Sequence, residues 1–143
     1  MSSELLSKPI VLIEDNPVDL DLTLRAFKKR KLINPITVAR DGEEAIELFD
    51  KWGQNTPKPV VILLDLKLPK VNGIDVLIHI RKSAMFAKIP VVVLTSSSED
   101  KDIQTAYDMG ANSYIIKPVD FEKFLQVAEH IEIYWSAINE PYR

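Results

Sequence analysis

The sequence predicts an α/β fold, a doubly wound sandwich of five helices on a five-stranded parallel sheet in the order 2-1-3-4-5. Three observations predict it. Five short apolar runs rich in Ile and Val are continuous rather than alternating, the mark of strands buried on both faces. Segments of helical period lie between them, and strict alternation of strand and helix calls for a parallel sheet covered on both sides. Right-handed crossovers leave few topologies, of which 2-1-3-4-5 is a common one. The 143 residues suit one domain. A chain of that length buries roughly 68–70% of its unfolded surface and holds a full core without staples.

The first run, KPIVLIED (8–15), stops at two acids. Asn16 and Pro17 make the turn into the first helix, PVDLDLTLRAFKKR. Its apolar stripe is Val18, Leu22 and Ala26, widened by Leu20, Leu24 and Phe27. The basic run Lys28 to Lys31 complements the dipole of the last turn and reads as a solvated helix end rather than a binding patch. PITVAR (35–40) is the second strand and DGEEAIELFDKW the second helix. Residues 53–58, GQNTPK, are the one stretch with the composition of a flexible loop. PVVILLD (59–65) is the third strand. Gly73 permits a tight turn after it, ahead of the helix GIDVLIHIRK. PVVVLTS (90–96) is the fourth strand. Gly110 is the C′ stop of the following helix, SEDKDIQTAYDMG. SYIIKP (113–118) is the fifth strand. The last helix, DFEKFLQVAEHIEIYWSAI, has Asp120 as N-cap and Lys123 at N3.

Composition excludes several functions. There is no cysteine, hence no disulfide or thiolate metal site, and only two histidines, His79 and His130, too few for a histidine-rich centre. Both sit on helices as solvent-facing or satisfied side chains, neither a phosphodonor. A net charge of −3 offers no basic surplus to nucleic acid. No apolar run approaches the roughly 20 residues that span a bilayer, and the N-terminus lacks signal-peptide regions. The expectation is a soluble, cytoplasmic protein with no nucleic-acid or membrane partner.

In open parallel sheets, ligands bind outside the carboxyl ends of the strands. Those ends carry Glu14 and Asp15 (first strand), Asp65 (third), Thr95 (fourth) and Lys117 (fifth). Taken alone, each has a plain reading. The acidic pair is a solvated helix start, Thr95 a β-former or cap, and Lys117 a surface lysine. Together they converge on one crevice, where three carboxylates and one ammonium leave an excess of negative charge that is costly without a cation. Oxygen-only ligands suit a hard divalent ion such as Mg²⁺, and the Lys67 carbonyl is a further candidate ligand. Such a metal together with Lys117 would neutralise charge on a phosphoryl group, Thr95 would donate to it, and Asp65 is placed to accept it as an acyl phosphate.

IVLIEDNPVD, ILLDLKLPKVNG, VVVLTSS and SYIIKPVD together resemble the receiver domain of two-component response regulators, over residues 8 to about 130. The YIIKPVD…FL…IEIYW ending is most similar to the small single-domain regulators paired with cyanobacterial phytochromes. The resemblance implies a flavodoxin-like fold. It implies a single receiver domain over 1–143, with the last helix running to about 138 and no output domain. It also implies a phosphoacceptor signalling protein, not an enzyme, that catalyses only its own phosphotransfer and dephosphorylation. Position by position it makes Asp65 the phosphoacceptor, Asp15 a direct ligand of Mg²⁺, Glu14 a ligand through water, and Lys67 a ligand through its carbonyl. Thr95 and Lys117 become the phosphoryl contacts, and Thr95 with Tyr114 the switch, although Tyr114 by itself is an ordinary sheet aromatic. It implies a cis Lys117–Pro118 bond. Lys67 stands where the family often has a neutral residue, beside the path of water to the acyl phosphate, and Ser97 is a second tuning position. The implied partners are a sensor histidine kinase, phytochrome-like, and an unknown downstream protein.

The last helix also suggests a homodimer. Phe124, Leu125, Ala128, Ile131 and Trp135 form one stripe that should cover the sheet, and Ile133, Tyr134 and Ile138 widen it beyond one interface. Phe124, Ile131, Tyr134, Trp135 and Ile138 are the candidate interface residues, on a surface made by the fourth and fifth helices and the fifth strand. Three other functions compete. A haloacid-dehalogenase-type hydrolase would need an aspartate where Lys67 stands. A nucleotide or flavin binder would need glycines and hydroxyls in place of EDNP. A phosphate-independent adaptor would not need all five site positions.

Overall fold

The computed structural model describes residues 8–117 and 120–139, with side chains as far as residue 132. Its strands are β1 (Ile10–Ile13), β2 (Ile36–Ala39), β3 (Val61–Leu64), β4 (Val91–Thr95) and β5 (Ser113–Ile116). Its helices are α1 (Pro17–Lys29), α2 (Gly42–Asp50), α3 (Gly73–Lys82), α4 (Asp100–Asp108) and α5 (Phe121–Asn139). The sheet order is β2-β1-β3-β4-β5, every pair parallel, as the flavodoxin-like arrangement requires.

The pleat explains why the strands read as continuous apolar runs. Val11, Ile13, Ile62, Leu64, Val91 and Val93 point to one face, under α2, α3 and α4. Ile10, Leu12, Val61, Leu63, Val92 and Leu94 point to the other, under α1 and α5. Each residue buries its side chain whichever way it faces. The register then fixes the site. Ile13 lies level with Ala39 and Leu64, and Leu64 with Val93, so the residues that follow these strands emerge along one edge.

Local signals set the helix ends. The Asn16 side chain accepts from the Val18 and Asp19 N–H groups, with Pro17 at N1, a cap worth ~1 kcal/mol. Asp120 caps α5 through the Lys123 N–H at 3.0 Å, as expected. Gly110 closes α4 at φ 103°, with Ala111 N–H on the Ala106 carbonyl and Gly110 N–H on that of Tyr107. The same paired bonds close α1, from Leu32 to Phe27 and from Lys31 to Lys28, but there the left-handed residue is Lys31 at φ 60°.

Several expectations need correction. Val18 is 65% exposed. The stripe of α1 runs instead through Leu20, Thr23, Ala26 and Phe27, with Val18 about 200° around the helix from Leu20. Gly73, by contrast, does let the loop after Asp65 close tightly, its N–H on the Leu66 carbonyl at 2.8 Å. It opens α3, where a Cβ would stand 2.4 Å from both the Asp65 carbonyl oxygen and the Leu66 Cα. Phe124 and Ile131, expected at a dimer interface, are each 1% exposed inside the core under α1 and α5, which leaves neither available to a partner. The side chains of Tyr134, Trp135 and Ile138 lie outside the described residues, as does the Lys117–Pro118 bond.

Candidate functional site

Four of the side chains singled out above, Glu14, Asp15, Asp65 and Lys117, meet where the strands end, and Thr95 ends the neighbouring β4. The Glu14 N–H continues the ladder to Ala39, that of Asp65 to Ile13, and that of Lys117 to Thr95, so each residue is held by backbone at the sheet's edge. Glu14, Asp15 and Asp65 each offer an oxygen, and these oxygens lie within 4.8 Å of one another. Glu14 and Asp65 are buried at 3% and 4% exposure, while Asp15 faces solvent. One oxygen of Asp65 accepts from Lys117 Nζ at 2.8 Å, the other from the Lys67 N–H at 3.0 Å. The Lys67 side chain is exposed.

Lys117 carries a partner that reasoning from sequence missed. Its ammonium lies 2.9 Å from Glu14 Oε1, 2.8 Å from Asp65 Oδ2 and 2.8 Å from Asp19 Oδ2. Asp19 is in the first turn of α1. Its signal was the last letter of IVLIEDNPVD, a first-turn acid that also complements the dipole of α1. With it, the crevice holds four carboxylates against one ammonium, a net −3 when all are ionised. Burial by itself would lower the pKa of Lys117, but hydrogen bonds to Asp19, Asp65 and Glu14 outweigh it and hold the lysine above its ordinary range. Burial pushes Glu14 up to about 7, the Asp65 charge adding to the rise while Lys117 and the Asn16 N–H oppose it. A cation would relieve a buried carboxyl that ionises with difficulty beside two others. The all-oxygen donor set therefore fits a hard divalent ion.

Thr95 is fully buried, and its Oγ1 meets the Ser97 N–H only at 3.5 Å. The Ser97 hydroxyl donates to Asp102, and the Tyr114 hydroxyl donates to the Ser97 carbonyl at 2.9 Å. Ser97 thus joins β4, α4 and β5. His79 is satisfied by Asp50 at 2.7 Å on α2, and His130 is exposed on α5. A separate cleft of about 570 Å³ between Thr37 and Val38 on one side and Leu48 and Trp52 on the other is lined by none of the five strand-end residues.

A doubly wound sheet with acids, a hydroxyl and a lysine gathered at its carboxyl edge defines a signalling receiver. The chain belongs to the response regulator receiver domain family, which it matches over residues 10–129. Its relatives include the probable methanogenesis regulatory protein FilR2 of Methanothrix harundinacea, 41% identical over 91% of this chain and 84% of that protein. Response regulator Rcp1 of Synechocystis is 34% identical over 90% of this chain and 88% of that protein. The crystal structure of the phosphorylated cyanobacterial phytochrome response regulator RcpA superposes with a TM-score of 0.83 at 36% identity, covering 92% of this chain and 96% of that one. The protein is accordingly a two-component receiver with phytochrome-associated homologues. Among the described residues no helix is long and apolar enough to cross a membrane.

Proposed function

We propose that this chain takes a phosphoryl group from the phosphohistidine of a sensor kinase onto Asp65. The N–P bond of the phosphohistidine breaks as an Asp65 oxygen bonds to phosphorus, and the imidazole leaves. The observation that carries this reading is the state of Asp65: 4% exposed, oriented through both oxygens by Lys117 and the Lys67 N–H, and beside two more carboxylates. Asp15, Asp65 and the Lys67 carbonyl would hold Mg²⁺, with Glu14 acting through water. Bound there, the ion would neutralise charge on the transferring group. Lys117 holds Asp65 in place and offers the phosphoryl oxygens an ammonium, and Thr95 offers a hydroxyl.

In this reading Thr95 and Tyr114 tilt a two-state equilibrium of the surface made by α4, β5 and α5. Tyr107, Met109 and Ile116 expose 46%, 39% and 50% on α4, its cap and β5, which supports that surface as the docking face for a second copy or a downstream protein. Sedimentation that finds only monomer, with and without beryllofluoride, would remove the second copy. The kinase is proposed to be phytochrome-like, on the strength of Rcp1 and RcpA, and the working compartment to be the cytoplasm. The decisive experiment is phosphotransfer from a panel of histidine kinases with Mg²⁺. One added phosphoryl group in the parent and none in Asp65→Asn is the expected result, and equal labelling of the two overturns the assignment.

A further inference from the structure

We infer that Asp19 is a positioning residue, whose carboxylate anchors the Lys117 ammonium so that one N–H is left to aim at a phosphoryl group on Asp65. This rests on the phosphoacceptor reading above.

An ammonium has three hydrogens, and here three carboxylates surround it: Glu14 at 2.9 Å, Asp65 at 2.8 Å and Asp19 at 2.8 Å. A phosphoryl oxygen gains a hydrogen only if one of these acceptors yields it. Asp65 is the one that yields, because forming the acyl phosphate turns its anionic oxygen into a weakly accepting ester oxygen. The hydrogen that pointed at Asp65 then points at the new group. Glu14 and Asp19 remain. Glu14 alone would let the ammonium swing about a single contact at the end of a flexible four-carbon stem. Asp19 adds a second anchor from a different part of the fold, α1 rather than the residue that follows β1, and two anchors fix the direction of the third N–H.

Asp19 is built to be rigid. Its N–H is held by Asn16 Oδ1 at 3.0 Å, and its carbonyl accepts from the hydroxyl of Thr23, itself 1% exposed, at 2.7 Å. It stands outside the trio Glu14, Asp15 and Asp65 that would hold the metal. The plain alternative is an acid that only complements the dipole of α1. That role has no consequence for Lys117.

The test is the affinity of the full chain for beryllofluoride, which stands in for the phosphoryl group on a carboxylate, at saturating Mg²⁺. Charge alone predicts that Asp19→Asn binds this anion more tightly, since a repelling carboxylate has gone. Positioning predicts the opposite sign, about tenfold weaker binding, the scale of one charge-assisted hydrogen bond. Asp19→Glu keeps the charge but displaces it, and the same direction of loss is expected. In a Lys117→Met background the Asp19→Asn change is expected to shift affinity by less than about twofold. Unchanged or tighter binding in Asp19→Asn, or an undiminished loss without Lys117, overturns the role of Asp19. A parent that takes up no beryllofluoride overturns instead the phosphoacceptor reading beneath it.

Discussion

Glu14→Gln is expected to stabilise the metal-free protein above neutral pH, because the crevice keeps more negative charge than its one lysine can balance. Glu14 is 3% exposed and titrates at about 7 rather than 4.5. The cluster as a whole holds this proton, and Glu14, the most buried of its carboxylates, is the seat. In the unfolded chain the same group ionises near 4.5. Between these values the folded protein binds a proton that the unfolded chain has released, so stability falls as pH rises. The contribution is fully present below about 4.5 and gone above about 7. At 1.36 kcal/mol per pH unit the difference is at most a few kcal/mol. Water reaches the cluster beside exposed Asp15 and screens it, which brings the expectation to ~1–2 kcal/mol. Urea unfolding at pH 5 and pH 8 without metal measures it. The parent should lose that amount between the two pH values relative to Glu14→Gln. Mg²⁺ at pH 8 should restore the parent by mass action and help the variant less. Parallel pH profiles for the two proteins would refute the reasoning.

Three further substitutions follow from particular geometries. Gly73→Ala puts a methyl 2.4 Å from the Asp65 carbonyl oxygen. It should cost ~1–3 kcal/mol in denaturant unfolding and weaken Mg²⁺ binding as the Asp65 loop shifts, and an unchanged midpoint with unchanged metal affinity would count against it. Lys31→Gly relieves a lysine held at φ 60° and should raise stability by about 1 kcal/mol, net of the entropy a glycine adds to the unfolded chain. A lower unfolding midpoint would contradict it. Lys67→Asn removes an exposed cation beside Asp65 and should shorten the life of the phosphorylated form about two- to fivefold, the equivalent of the ~0.4–1 kcal/mol of a solvent-exposed ion pair. Phosphoryl release measured over time decides this, identical decay being the adverse outcome.

Residues whose neighbours in sequence determine their surroundings were the legible ones. Every residue of β1 and β3, and of β4 except Thr95, is apolar, so the order of elements could be read directly, and the handedness of crossovers narrowed the strand order to a few. Glu14, Asp65 and Lys117 were legible because a charge that ends an apolar run has no packing explanation. Asp19 was not. A first-turn acid after an N-cap and proline is sufficiently explained by its own helix, and its partner lies 98 positions away on β5's far end. Gly73 was legible as the residue that permits the loop after Asp65 to turn tightly. Its close approach to the Asp65 backbone exists only once the loop has folded. Phe124 and Ile131 were assigned both to the stripe that covers the sheet and to the candidate interface, and the fold grants only the first.

The proposed switch has an energetic requirement that one contact cannot meet. Moving a two-state surface from mostly off to mostly on takes ~5.5 kcal/mol of differential binding. A hydrogen bond to a charged group contributes about 1.5–3 kcal/mol. Thr95 gives up little by turning toward a phosphoryl oxygen, since its contact with the Ser97 N–H is already long at 3.5 Å. Even so, its single new bond falls short of the requirement. Ser97, meanwhile, is tied to Asp102 through its hydroxyl and to Tyr114 through its carbonyl, which links the loop after β4 to α4 and β5. Lys117 exchanges its Asp65 contact for one to the phosphoryl group and so adds less than a full new bond, which leaves part of the requirement to the packing of Ser97, Asp102 and Tyr114. A lysine that wandered among its carboxylates would forfeit part of its share. A rigid second anchor for its ammonium therefore bears on how completely the surface switches, as well as on how tightly the phosphoryl group is held.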